Sequence, residues 1–386
     1  MAIVQTLAHR GVPCWVCAPR RLQAAWSRFC RFRRLPDFHD RETDAVEGLV
    51  RLLREIGGRP IVFPAGDIEA LALARHSERL GALAELCVSD RQTVDLVLDK
   101  RRFYAWSREH KLSCPVTVPL TGEAMPLDPP FVIKPENYSF LTADYLQCRQ
   151  GSSPFGFKFR RIDDAPGWHD FLNRQRQRLD RFVAQELIQG ADDDRYSVGV
   201  YSDRGARVRA VFVGRVLRCY PPFFGNTVLG QNDCVPDAVL EEVTGIVKRL
   251  GLSGIAEFEY RRDSSTGRHR LLEINPRSWS WMQASMSSNA DIAWTAYRDL
   301  CGAKIAPIEV ANADPGRIKA VRAMADAANV LFRYPKGHRH RWIPSGTRRK
   351  SLAARHVISI ETHRSDWPLT LFCLLLLGRD ILKKEG

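Results

Sequence analysis

The segment Leu271-Leu272-Glu273-Ile274-Asn275-Pro276-Arg277 constrains this chain more than any other. In a strand, successive side chains point to opposite faces. The spacing therefore places Glu273, Asn275 and Arg277 on one face and Leu272 and Ile274 on the other. Two oxygen donors and a cation then share a surface. A hard divalent ion such as Mg²⁺ takes carboxylate and amide oxygens together with phosphate oxygens, and a neighbouring guanidinium can hold the remaining phosphate charge. Just upstream, Gly254-Ile255-Ala256-Glu257-Phe258-Glu259-Tyr260 puts Glu257 and Glu259 on one face. The polar segment Arg261 to Arg270, with Asp263-Ser264-Ser265-Thr266-Gly267 inside it, reads as a turn. The pair predicts an antiparallel hairpin with an acidic face, a pattern that a solvated surface hairpin shares.

The remaining chain alternates helix and strand. Residues Ile3 to His9 read as helix, Val12 to Ala18 as strand, Thr43 to Ile56 as helix, Pro60 to Pro64 as strand and Ile68 to Leu80 as helix, which is an α/β domain over residues 1–92. Asp90 to His110 reads as one helix carrying Lys100. Lys134 ends the apolar run Phe131-Val132-Ile133-Lys134, and a lysine so placed needs a counter-charge, either a phosphate or a structural salt bridge. The alternating run Val208 to Tyr220 is a strand bearing Arg215 and Arg218. At 386 residues, 45% hydrophobic and 26% charged, the chain can bury two or three cores without disulfides. Its net charge of +14 suits polyphosphate, an anionic membrane surface or nucleic acid. No nucleic-acid-binding signature accompanies that charge, and a nucleic-acid partner is not expected. Ten cysteines and an opening without a secretory leader fit a reducing, cytoplasmic setting. Cys14 and Cys17 have C-x-x-C spacing, but no second pair with zinc-ligand spacing accompanies them, so they read as core.

Taken in order, these segments resemble the ATP-grasp superfamily, and within it the predicted carboxylate–amine ligases that include D-aspartate ligase-like enzymes. The resemblance spans roughly residues 10 to 300. It implies an N-terminal α/β pre-domain (1–92) and two α+β subdomains that clasp ATP, a lid half (93–182) and a metal half (183–302), followed by a basic extension (303–386). It implies Glu259, Glu273 and Asn275 as ligands of Mg²⁺, as one ion or two, with Mn²⁺ a substitute. Lys100 and Lys134 would meet the nucleotide phosphates. Val183-Ala184-Gln185-Glu186-Leu187-Ile188-Gln189-Gly190 resembles the hinge that contacts adenine through Gln185, Glu186, Leu187 and Ile188, with Asp192 or Asp194 on the ribose. Arg277 and Arg218 would steady the transferred phosphate. The activity implied is amide formation from a small carboxylate and an amine through an acyl phosphate. Transfer of phosphate to a hydroxyl, or a degenerate nucleotide-binding scaffold, are the alternatives.

The sequence also departs from the family. The family opens with a strand and a glycine turn, whereas this sequence begins inside the first helix, either because the start is late or because that strand is lost. The stretch after Lys134 lacks the usual glycine- and serine-rich phosphate loop. Gln150-Gly151-Ser152-Ser153-Pro154-Phe155-Gly156 reads equally as a displaced loop, with Lys158 beside it, or as a hairpin turn. Trp279 and Trp281 suit either an acceptor wall or the core. Trp367 to Gly378 is apolar but short of the roughly 20 residues that span a bilayer. It reads as a buried terminal helix or, with Arg333 to Lys350, as a peripheral membrane contact.

Overall fold

The computed structural model describes residues 1–386 apart from 22, 137–158, 221–224, 288–289, 307–308, 311–314, 329–355, 361–365 and 367–386. The glycine cluster around Gly151, Lys158, the Arg333–Lys350 run and the Trp367–Gly378 run lie outside the described residues. The N-terminal part runs α1 (Ala2–Ala8), β1 (Cys14–Ala18), β2 (Cys30–Arg34), α2 (Glu42–Ile56), β3 (Ile61–Val62), α3 (Asp67–Arg75), α4 (Ser77–Gly81) and β4 (Glu85–Leu86). The single helix expected over 68–80 is therefore two, interrupted at His76. β1 with β2, and β3 with β4, form parallel pairs. The 3.6-residue stripe Val46, Leu49, Val50 and Leu53 packs α2 onto Leu35, Leu73 and Leu80. A cavity of about 530 Å³ is lined by Cys14 to Cys17 of β1, by Ile61 and Val62 of β3, and by apolar residues of α1 and α2. Cys14 and Cys17 are half-buried free thiols, each pushed up to about 11, chiefly by burial.

Next come α5 (Arg91–Leu98) and α6 (Lys100–Glu109). One helix was expected here. Asp99 instead adopts an extended conformation and its carboxylate accepts from the Arg102 amide at 3.0 Å, which ends α5 and caps α6. Lys100 thus opens a helix. A four-stranded sheet follows, built from β5 (Thr117–Pro119), β6 (Phe131–Pro135), β7 (Arg160–Ile162) and, after α7 (Ala165–Gln175), β8 (Phe182–Glu186), in the order β5-β8-β6-β7. Phe131 and Ile133 enter its core with Trp168, Phe171 and Phe182, and strand alternation turns Lys134 away from that core.

The largest sheet contains β9 (Arg195–Ser202), β10 (Val208–Tyr220), β11 (Asn226–Asn232), then, after α8 (Asp237–Leu250), β12 (Gly254–Arg262) and β13 (His269–Asn275). After α9 (Ile292–Leu300) it adds β14 (Glu309–Val310), β15 (Ile318–Val321), α10 (Ala323–Ala328) beside it, and β16 (His356–Ser359). Its order is β13-β12-β9-β10-β11-β15-β16, with β14 on β10. Residues past 302 therefore extend this sheet. The expected hairpin is present, with Glu257 opposite Asn275 and Glu259 opposite Glu273. A bulge after Glu259 shifts the register, so that Leu271, and not Leu272, joins Ile274 in the core under α8.

The other face of the sheet is covered by Trp279 and Trp281, which are core residues at 5% and 1% exposure. The sheet admits them through glycines. A Cβ at Gly199 would lie 2.0 Å from Trp279, and one at Gly214 would lie 2.2 Å from Trp281. Gly214→Ala is accordingly expected to lower stability by about 1–3 kcal/mol, read as a fall in Tm that Trp281→Phe partly restores. Among the described residues no helix is long and apolar enough to cross a membrane.

Candidate active site

Strand pairing alone brings the acidic groups together. On one face of β12 and β13, the Asn275 amide nitrogen donates to Glu257 Oε2 and to Glu259 Oε1, each at 3.2 Å. The neighbouring strand adds two groups that the motif does not contain. Ser197 donates its hydroxyl to Glu257 Oε1 at 2.7 Å, and Arg195 Nη2 donates to Glu259 Oε2 at 3.3 Å. Tyr196, Val198 and Val200 alternate toward the core and leave Arg195 and Ser197 on the opposite face, but nothing local pairs that face with Glu257 and Glu259.

Arg277 sits in the turn just after β13. Its Nη2 donates to Asn275 Oδ1 at 3.2 Å, its Nε donates to Asp67 Oδ1 at 3.0 Å, and its Nη1 stands 3.9 Å from Glu257 Oε2. Lys134 of β6 and Lys100 at the start of α6 add positive charge next to Glu273.

The electrostatics follow from this crowding. Burial and the neighbouring Glu259 push Glu257 up to about 8, and burial and Glu273 raise Glu259. Burial acts the same way on Glu273, but Lys100, Lys134, Arg277 and Arg195 outweigh it and hold Glu273 below the usual carboxylate range. Lys134 is lowered to about 8 by burial, with Lys100 adding to the effect and Glu273 opposing it. Burial would lower Arg195 as well, but Cys219, Glu259 and Asp192 keep it above its ordinary range.

Carboxylates that raise one another's pKa are a set that a divalent cation relieves, and all the donors are hard oxygens. Among the described residues no three His, Cys, Asp or Glu side chains converge as a metal cluster by themselves. Glu259 and Glu273, with the Asn275 oxygen beside them, are the residues that could hold such an ion. The open positions suit phosphate oxygens and water, which Mg²⁺ prefers.

Arg218 is placed elsewhere. It is buried and forms a two-pronged ion pair with Asp326 of α10, Nε to Oδ1 at 2.6 Å. The register of β10 against β11 is irregular on both sides of Arg218, and it is the next residue, Cys219, whose sulfur receives an N–H from Arg195 at 2.9 Å. On this sheet it is therefore Arg195 of β9, and not Arg218 of β10, that stands beside Glu259.

At the hinge, Gln185 is buried and donates to Thr117 Oγ1 at 2.9 Å. Glu186 accepts from the Val116 amide at 3.0 Å, and Arg270 lies 3.3 Å from the same carboxylate oxygen. Leu187 is half-buried and Ile188 buried. Asp194 is engaged structurally, with Arg262 at 2.7 Å and the Ala191 amide at 2.8 Å. Asp192 is buried near Arg195 and Arg261.

No family model matches the chain. A D-aspartate ligase from Enterococcus faecium (strain Aus0004) is 21% identical over 269 residues, which cover 65% of this chain and 62% of that protein, so the chain spans about 62% of the length of this curated relative. Among solved structures, N5-carboxyaminoimidazole synthetase from Staphylococcus aureus superimposes with a TM-score of 0.60 at 12% identity, covering 80% of this chain and 75% of that one; its complex with ADP has also been solved. L-amino acid ligase from Bacillus licheniformis superimposes with a TM-score of 0.55 at 20% identity, covering 79% of this chain and 71% of that one. At these identities the solved structures speak for the fold alone. The chain shares the fold of these synthetase and ligase structures to the extent that these superpositions show, and is similar in sequence to the D-aspartate ligase.

Proposed function

We propose that this protein is an ATP-dependent carboxylate–amine ligase. The observation that carries the reading is the single face on which Glu257, Glu259, Asn275, Arg195 and Arg277 meet, with Lys134 supplied from the four-stranded sheet and Lys100 from the start of α6. The relative's name, D-aspartate ligase, and the ADP complex of the S. aureus enzyme support it.

In this reading ATP lies between the two sheets. Its adenine rests on the hinge from Gln185 to Ile188, its ribose lies near Asp192, and its triphosphate lies toward Lys134 and Lys100. A substrate carboxylate oxygen attacks the γ-phosphorus, the bond to the ADP oxygen breaks, and an acyl phosphate forms. An amine nitrogen then attacks the acyl carbon, the carbon–oxygen bond to phosphate breaks, and the amine loses a proton as phosphate leaves. Arg195, Arg277 and Lys134 hold phosphoryl oxygens in line and offset their charge, which is the larger part of what phosphoryl transfer asks of a protein. Mg²⁺ held by Glu259, Glu273 and Asn275, whether one ion or two, would supply Lewis-acid neutralisation of the phosphate charge.

The test is ADP release by the purified chain with Mg²⁺ and ATP against pairs of amino acids, amino sugars and small acids, with the product mass recorded. Acceptor-dependent ADP release with a product one water lighter than the summed acid and amine is expected. A phosphate ester in its place would overturn the ligase reading in favour of a phosphotransferase.

A further inference from the structure

Beside the acidic face, the N-terminal part and the turn after β13 meet at Asp67 and Arg277. Asp67 is the first residue of α3 and follows Gly66, so its carboxylate sits at a helix N-terminus, where a negative charge is favoured. It accepts from Arg277 Nε at 3.0 Å across 210 positions of sequence, with side-chain exposures of 8% and 19%. A second bond crosses at the same place, from the Ser278 hydroxyl to the Pro64 carbonyl at 3.3 Å. The loop before α3 and the turn after β13 are thereby held together.

Arg277 has another destination available. Its Nη1 is already 3.9 Å from Glu257 Oε2, and its charge acts on Glu257, Glu259 and Glu273 alike. A guanidinium released from Asp67 would move onto these carboxylates, because a charged partner in a crowded, partly buried site is worth more than one in water. There it would compete directly with a divalent cation for the same oxygens. With Nε fixed, the guanidinium plane is set and its remaining edge stays beside Asn275.

We propose that Asp67 is a positioning residue for this site: by fixing Nε of Arg277 it keeps that guanidinium off the carboxylates that hold the metal and directed at the anionic substrate. The inference rests on the reading of the acidic face as a Mg-ATP site.

The experiment is calorimetric titration of ATP into the full chain at stepped Mg²⁺ concentrations, with Tm recorded for each variant. Asp67→Asn is expected to raise the Mg²⁺ concentration for half-maximal ATP binding by about 10-fold or more, the usual effect of losing a residue that orients a metal site. In Asp67→Asn combined with Arg277→Gln, that concentration should return to the value for Arg277→Gln alone, since no guanidinium is left to compete. Arg277→Lys keeps a cation but loses the Nε donor, and it should likewise raise the Mg²⁺ concentration for half-maximal ATP binding without touching Asp67. A lowered Tm with unchanged Mg²⁺ dependence in Asp67→Asn and in Arg277→Lys would assign the pair a purely structural role and overturn the proposal. Wild-type protein that binds no Mg-ATP would overturn the site reading itself.

Discussion

Glu273→Gln is expected to reduce Mg²⁺-dependent ADP release by about 10²- to 10³-fold, the range seen when one preorganised charge-stabilising group is removed from a reacting centre. The substitution keeps shape and hydrogen-bonding capacity and removes one negative charge. That charge is the one most completely surrounded by cations, with Lys100, Lys134, Arg277 and Arg195 all acting on it. In the unliganded protein its loss has two opposing effects. Glu259, raised by its neighbour Glu273, is relieved, and Lys134, which Glu273 helps to keep charged, loses a counter-ion. Tm should therefore change by only a few degrees while turnover collapses. Retention of wild-type turnover would remove Glu273 from the reacting centre, and a large fall in Tm would mark it as a folding residue.

The parts of the site that were legible in the sequence are those set by local periodicity. Alternation over Gly254 to Tyr260 and over Leu271 to Arg277 was enough to put the two acidic faces on neighbouring strands of a hairpin; the register that sets Glu257 opposite Asn275 and Glu259 opposite Glu273 is seen only in the structure. Even there, the bulge after Glu259 exchanged Leu272 for Leu271 in the core. Groups contributed by distant segments were not legible. Arg195 faces Glu259 because β9 pairs with β12 across some sixty residues, and nothing local separates it from Arg215 or Arg218. Arg218 looked suitable because it is a cation on a strand near the hinge. Its partner Asp326 lies 108 positions away on α10, and burying both as a pair leaves the guanidinium committed. Removing one member of such a pair costs about 3–5 kcal/mol, which is reason enough for an arginine there without a catalytic role. Trp279 and Trp281 were undecidable for a similar reason, since their fit depends on Gly199 and Gly214, two and three strands away from β13. The helix breaks at His76 and Asp99 show the limit of periodicity: each interrupts an amphipathic run without a proline or glycine to announce it.

Lys134→Gln is expected to weaken ATP binding at pH 7 by roughly 10- to 100-fold, the equivalent of a charge-assisted hydrogen bond of about 1.5–3 kcal/mol. It should also flatten the pH dependence of binding at alkaline pH. Lys134 is the penultimate residue of β6, where alternation turns it out of the Phe131–Ile133 core toward the acidic face, and burial lowers its pKa to about 8. In the free protein its charge is thus present below about 8 and lost above it. Phosphate oxygens favour the charged form, so a bound nucleotide raises the pKa and binding takes up a proton above about 8. ATP affinity must then fall as pH rises through that range.

Stability runs the other way. The unfolded chain holds this proton up to about 10.5, so between about 8 and 10.5 it binds more protons than the folded state, and the lysine's contribution to stability rises with pH. Opposite slopes for binding and stability from one side chain are a signature that a surface lysine would not produce. Calorimetry at pH 7 and pH 9, in buffers of different ionisation enthalpy, reads the proton uptake directly. Uptake that persists undiminished in Lys134→Gln would reassign it to Glu257, the other group on this face that titrates near 8, and would remove Lys134 from the phosphate site.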